Sequence, residues 1–194
     1  MSKFVEPLQA TYIKYLKQGK IFTMNNKNAP YTPSEIANFF LKKGKKDKEM
    51  TQMKLNKLVY FAQGWYLALN DAPLFDEDIQ AWQHGPVIPS LYHEFKHFGS
   101  NQITPKTHSI QWNDEDGLHY KTVGAADKNT RIILEKIWSL FGQYHGWELR
   151  NLTHQEDTPW SKVDKSYLHS VIDKKDIKDF YIKYLTDLIE RSKH

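Results

Sequence analysis

The residues best placed to do chemistry in this chain of 194 are His93-Glu94-Phe95-Lys96-His97, which fit the pattern H-E-x-x-H. On a helix, histidines four apart share a face and can grip zinc, while the glutamate polarises a bound water. Such a hydrolase needs a third ligand. Glu115, His119, His145 and His154 are loose candidates, and no distinctive third-ligand motif surrounds any of them. Gly99 ends the predicted helix two residues after His97, which leaves it short for this chemistry. Zinc hydrolysis through His93, His97 and Glu94 is therefore an alternative and not the main reading, which assigns no metal and no cofactor. Thiolate chemistry and disulfides are excluded, because the chain has no cysteine. The nine glycines are scattered and form no phosphate-cradling loop. His154 with Glu156 and Asp157 could do acid–base work. A Thr-His-x-x-x-x-Pro-Trp turn, however, fits a structural role through side-chain hydrogen bonds better. Ser90, following Pro89, reads as a helix cap and not as a nucleophile.

The elements that must position these residues are mostly helical. Val5, Leu8, Tyr12, Tyr15 and Leu16 predict a short amphipathic helix over 3–18. Thr32-Pro33-Ser34-Glu35 is a helix start, with Thr32 as cap, Pro33 at the first position and Glu35 closing a capping box. Gly44 ends that segment. Thr51 opens a longer helix bearing Leu55, Leu58, Val59, Ala62, Trp65, Tyr66 and Leu69 at the spacing of a buried stripe, stopped by Asn70-Asp71-Ala72-Pro73. Residues 79–82 alternate as a short extended piece, and His84-Gly85-Pro86-Val87-Ile88-Pro89 reads as a rigid loop. A helix is predicted from Ser90 to Phe98. A hairpin is predicted where Ile110-Gln111-Trp112 and Leu118–Thr122 flank Asn113–Gly117. Helices follow from Asp127 to about Phe141, over Trp147–Thr153, and from Asp173 to the end. Trp65, Tyr66 and Trp82 read as core and not as a base-stacking platform. The fold class expected is mainly α: a single helical domain with a small β-hairpin or short strands.

Composition narrows the function further. Hydrophobic residues make up 40 % of the chain and no apolar run approaches the roughly 20 residues that span a bilayer, so a membrane partner is not expected. The N-terminus lacks the basic-then-apolar layout of a signal peptide. Together these place the protein in the cytoplasm. The net charge is +4, and Lys42, Lys43, Lys45, Lys46 and Lys48 cluster around Gly44 as a solvated linker would. A nucleic-acid-binding regulator stays an alternative, but no basic face interleaved with planar side chains supports it.

Two segments are too particular for generic helix design. The first carries Thr51, Lys54, Leu55, Lys57, Leu58, Tyr60, Gln63 and Gly64; the second carries Trp82, Gly85, Pro86, Val87, Pro89, Leu91 and Tyr92. A later element comprises Leu152, Thr153, His154, Pro159 and Trp160. These residues resemble the Panacea domain, the SocA-like antitoxin family that also includes phage-associated proteins of the GepA type. The resemblance covers about residues 32–162. It implies the division 1–28 as an N-terminal helical appendage, 29–165 as the Panacea domain and 166–194 as a C-terminal helix packing on or extending it. It also implies a binding protein and not an enzyme: an antitoxin that neutralises a cognate protein toxin by direct contact, or an adaptor that delivers the toxin to a protease. The residues expected to bind the partner are Lys54, Lys57, Tyr60, Gln63, Gly64, Gly85, Pro86, Val87 and Pro89. Lys54, Lys57 and Gln63 are expected to be exposed, Gly64 to let another backbone approach, and the prolines to pre-order a loop for binding.

Overall fold

The protein was analysed as a computed structural model, which describes residues 30–45, 49–103, 111–113, 117–119, 123, 127–167 and 169–191. The helix expected over 3–18, the third-ligand candidate Glu115 and most of the 104–126 stretch lie outside them. Seven α-helices are described: α1 (Pro33–Lys43), α2 (Gln52–Asn70), α3 (Pro89–Phe95), α4 (Lys128–Phe141), α5 (Gly146–Thr153), α6 (Pro159–Lys162) and α7 (Lys174–Arg191). Strands β1 (Ile79–Trp82), β2 (Gly85–Val87) and β5 (Val171–Ile172) form one sheet in the order β2-β1-β5. Strands β3 (Gln111–Asn113) and β4 (Gly117–His119) pair antiparallel as the expected hairpin. The fold is mainly α with short strands.

Local chemistry sets the helix starts. Thr32 and Glu35 form the reciprocal capping box of α1, with Thr32 N–H donating to Glu35 Oε2 at 2.7 Å. Asp127 caps α4 by accepting from Thr130 N–H at 2.9 Å, and its other oxygen accepts from Tyr31 Oη at 2.6 Å. Asp173 accepts from Lys175 N–H at 2.6 Å at the start of α7. Ser90 does not cap α3: the helix begins at Pro89 after Ile88, and Ser90 N–H donates to Glu77 Oε1. Proline already holds the first-turn φ and has no N–H to satisfy, so the helix starts one residue earlier than a serine cap would allow.

Helix α2 is the axis of the molecule, packed by α1, α4, α5 and α7 and by β2. Its burial runs almost all round, from Gln52 to Leu67. Apolar side chains such as Leu55, Leu58, Ala62 and Trp65 account for most of the contact, and each fully buried large side chain contributes about 1.5–3 kcal/mol. Helix α7 lies on α2 through Ile177, Tyr181 and Leu185. Gly64 makes that approach possible: a Cβ there would stand 2.2 Å from two ring atoms of Tyr181. The close neighbour of Gly64 is thus an aromatic ring of the same chain and not a partner backbone.

The segment read as a rigid loop is β2. Gln80, Ala81 and Trp82 of β1 face Val87, Pro86 and Gly85, and Gln83-His84 make the turn. Pro86 is tolerated because β2 is an edge strand whose outer side needs no donor. β5, which no sequence pattern announced, pairs Ile172 and Val171 with Ile79 and Gln80 on the other side of β1.

Candidate partner-binding cleft

Lys54, Lys57 and Gln63 occupy the interior and not the surface; they are 1 %, 1 % and 0 % exposed. The reason is long-range pairing with backbone carbonyls. Lys54 Nζ donates to Gly142 O at 2.6 Å and lies over the Trp138 ring at 5.8 Å. Lys57 Nζ donates to Pro86 O at 3.0 Å. Gln63 accepts from Leu74 N–H and Phe75 N–H and donates to Phe75 O, tying the chain after α2 back onto the helix. Tyr60 is buried beside Tyr181, with ring centroids 6.0 Å apart. Asn56, which no pattern singled out, accepts from Ile88 N–H at 3.1 Å.

The hairpin is held from its other end by the Thr-His…Pro-Trp element. Trp160 Nε1 donates to Trp82 O at 2.8 Å, and His154 Nε2 lies 3.2 Å from Gln83 O. His154 Nδ1 is 2.8 Å from Arg150 O, and its ring packs on Trp160 with centroids 3.6 Å apart. Burial pulls the pKa of this imidazole below its ordinary value, against the opposing pull of the two carbonyls. A neutral ring carries one N–H, so one of the two carbonyl contacts is a donated bond at neutral pH. Glu156 and Asp157 lie in an exposed turn, and neither is among the contacts of His154. Gly85 sits at φ +102°, where a Cβ would meet Thr153 Oγ1 at 2.8 Å and the Lys57 side chain at 2.9 Å. The three sequence elements interlock: the first and last grip the second by its carbonyls.

A cleft of about 650 Å³ opens where α2 begins. Gln52, Met53, Asn56 and Lys57 floor it, the hairpin from Trp82 to Val87 forms one side, and His145, Gly146 and Trp147 form another. Tyr92 and the Gly99–Ser100 turn close it. Trp147 is 57 % exposed at the mouth, edge-on to His84 at 5.4 Å and under the guanidinium of Arg150 at 5.6 Å. An exposed tryptophan beside a well-formed apolar recess is the composition of a binding hot spot. Of the expected contact residues, Lys57 and Val87 line this cleft, Gly85 and Pro86 sit buried in the same hairpin, and Lys54, Tyr60 and Gln63 belong to the core. Pro89 starts α3 and is half-buried. Trp147 and His84 were not anticipated as site residues, and His145 was considered only as a loose third zinc ligand; the available signal was Trp147 standing two residues before Leu149, on the opposite side of α5 from the core.

The H-E-x-x-H residues are held differently from a zinc site. α-Helical geometry ends at Phe95 and Lys96–Phe98 form a 3-10 turn, so His93 and His97 do not occupy successive turns of one α-helix. Glu94 accepts from Ser34 Oγ at 2.7 Å, joining α3 to α1. His145 Nδ1 lies 3.3 Å from Glu49 Oε2. Among the described residues there is no group of three or more His, Cys, Asp or Glu that could hold a metal ion, and no helix is long and apolar enough to cross a membrane.

No solved structure matches the chain at a significant level. Over 129 residues it is 28 % identical to Antitoxin SocA of Caulobacter vibrioides (strain NA1000 / CB15N), an alignment spanning 66 % of this chain and 68 % of that protein. The model of the family described as antitoxin SocA-like, Panacea domain, matches residues 55–161, which hold most of α2, the clasped hairpin, the mouth of the cleft and the Thr-His…Pro-Trp element. That match takes in more than half of the chain, and the protein belongs to the SocA-like Panacea antitoxin family.

Proposed function

We propose that the protein is an antitoxin that neutralises a cognate toxin by binding it directly, with the cleft at the start of α2 as the contact face. The observation that carries this reading is the exposed Trp147 at the mouth of an aromatic-walled recess inside the family-matched segment. Burying a tryptophan of this exposure in a partner is worth about 2 kcal/mol or more, the range of an interface hot spot. The clasp on the hairpin keeps the cleft pre-formed, which lowers the entropy lost on binding.

The test is co-expression with the protein encoded beside it, scoring growth rescue and co-purification, for the natural chain and for Trp147→Ala. The side chain is exposed, so Trp147→Ala should melt within about 2 °C of the parent, since surface changes stay within roughly 0.5 kcal/mol. Rescue by the parent and a loss of 30-fold or more in affinity with Trp147→Ala would support the reading. Rescue that is indifferent to Trp147→Ala would move the contact face elsewhere. The lifetime of the toxin in the same cells separates the two modes: shortening indicates delivery to a protease, and an unchanged lifetime indicates occlusion.

A further inference from the structure

The floor of the cleft holds a buried cation with no anion beside it. Lys57 is 1 % exposed and its ammonium has one hydrogen-bond partner among the described residues, the Pro86 carbonyl, although an ammonium carries three donors. The charge acting on it is that of Arg150, another cation, whose Nε is itself buried with no hydrogen-bond partner. The remaining titratable groups around it are His154 below the hairpin, and His84, His145 and Glu49 at the cleft. Glu49 is the cleft's own carboxylate, and it faces His145 at 3.3 Å. Burying an unpaired ammonium is unfavourable, and a carboxylate brought to it with good geometry offsets much of that penalty.

We propose that the base of the cleft at Lys57 is a receptor for a carboxylate, supplied by an Asp or Glu side chain of the partner protein whose apolar neighbours rest on Trp147 and Tyr92. This proposal deepens the antitoxin reading and rests on it for the identity of the partner. Charge complementarity selects the occupant: the recess offers one buried ammonium and aromatic walls, and its one carboxylate, Glu49, lies beside His145 and not beside Lys57. Burial draws the amine down from its ordinary 10.5 to about 7, so the receptor is charged below neutrality and fades above it. If a seated carboxylate restores an ordinary lysine pKa, affinity falls roughly 25-fold between pH 6.5 and pH 8.5.

Two experiments test it. In the first, the full chain with ¹³Cε-labelled lysine is titrated with 3-phenylpropionate and, separately, with 3-phenylpropionamide. The Lys57 signal is assigned by its loss in Lys57→Met or, should that variant fold poorly, in Lys57→Gln. The expected result is a saturable shift of the Lys57 signal with the carboxylate, a rise in its titration midpoint, and no such response to the amide. No response to either, or an equal response to both, overturns the receptor. In the second, affinity for the co-purified partner is measured at pH 6.5 and 8.5 with the parent and the Lys57 variant. The expected result is the roughly 25-fold pH ratio in the parent and a ratio near 1 in the variant, which keeps His84, His145, His154 and Glu49. A response to phenylpropionate with partner affinity indifferent to Lys57 would mean a free carboxylate is the ligand, overturning the protein source. Failure of the neighbouring protein to bind at all would count against the antitoxin reading, and the first experiment would still decide the receptor.

Discussion

Gly64 offers the sharpest check on how α7 is seated. In an exposed helix interior, Gly→Ala stabilises by about 1 kcal/mol through backbone entropy. Here the new methyl would stand 2.2 Å from Tyr181 Cδ2 and Cε2 and 2.9 Å from Cζ. The ring has little room to retreat: it is buried and ringed by Tyr60, Phe180 and Tyr184 at 6.0, 5.1 and 6.1 Å. Overpacking of this kind costs about 3 kcal/mol at the upper end of its usual range, so Gly64→Ala should lose a net of about 2 kcal/mol. For a chain of this length that is a fall of roughly 4–8 °C in Tm. Removing the ring should reverse the sign: in a Tyr181→Leu background the same Gly64→Ala change should gain up to about 1 kcal/mol, a coupling of about 3 kcal/mol. Urea unfolding of the four proteins, followed by far-UV circular dichroism with m-values compared, measures it directly. An equal loss from Gly64→Ala in both backgrounds, or a gain in the natural one, would refute the packing of Tyr181 on Gly64.

Three further outcomes follow from the same geometry. Lys54→Glu with Lys57→Glu places two carboxylates against the Gly142 and Pro86 carbonyls in the core; a loss of about 5 kcal/mol or more is expected, seen as loss of the cooperative melt. Lys57 also sets a pH dependence: below about pH 7 folded and unfolded chains both carry the charge and the burial penalty is fully present, whereas from pH 7 towards 10.5 only the unfolded chain holds the proton. Stability should therefore rise by about 2 kcal/mol in all between pH 7 and 9, and urea midpoints in Lys57→Met should lack that rise. Gly85→Ala combines a left-handed φ with contacts on Thr153 and Lys57, and should lower stability by roughly 2–4 kcal/mol and expose the hairpin amides to hydrogen exchange.

The helices and their caps were legible because they depend on neighbours in the chain. Thr32, Asp127 and Asp173 cap residues two or three positions away, and the stripe from Leu55 to Leu69 repeats within one helix. The inward course of Lys54, Lys57 and Gln63 was not legible, because their partners Gly142, Pro86 and Phe75 are reached only after the chain has folded back. A lysine on a helix is ordinarily solvated, and nothing in its immediate sequence marks the carbonyl that draws it inside. β2 was read as a rigid loop because Pro86 and Pro89 fix their φ angles and hold the residues before them extended; it is a strand because its position at the sheet edge makes the donor that Pro86 lacks dispensable. β5 spans two residues, too few to show an alternation.

The interlocking of the three motifs has a consequence for how a partner can engage. An edge strand such as β2 presents backbone groups that invite a further strand. Here the Pro86 carbonyl is taken by Lys57, the adjoining Ile88 N–H by Asn56 and the turn carbonyl of Trp82 by Trp160, while His154 Nε2 stands 3.2 Å from the carbonyl of Gln83. Proline at 86 removes the donor that a docking strand would need. Strand addition at β2 would have to break bonds buried in the core, so on the proposed antitoxin reading recognition falls to the side chains that line the cleft. These include Trp147, Tyr92, His84 and the buried Lys57, a set able to discriminate by shape and charge. On this view the clasped hairpin is a rigid base for the cleft. Substitutions at the mouth of the cleft can therefore change the partner without disturbing the hydrogen bonds beneath it.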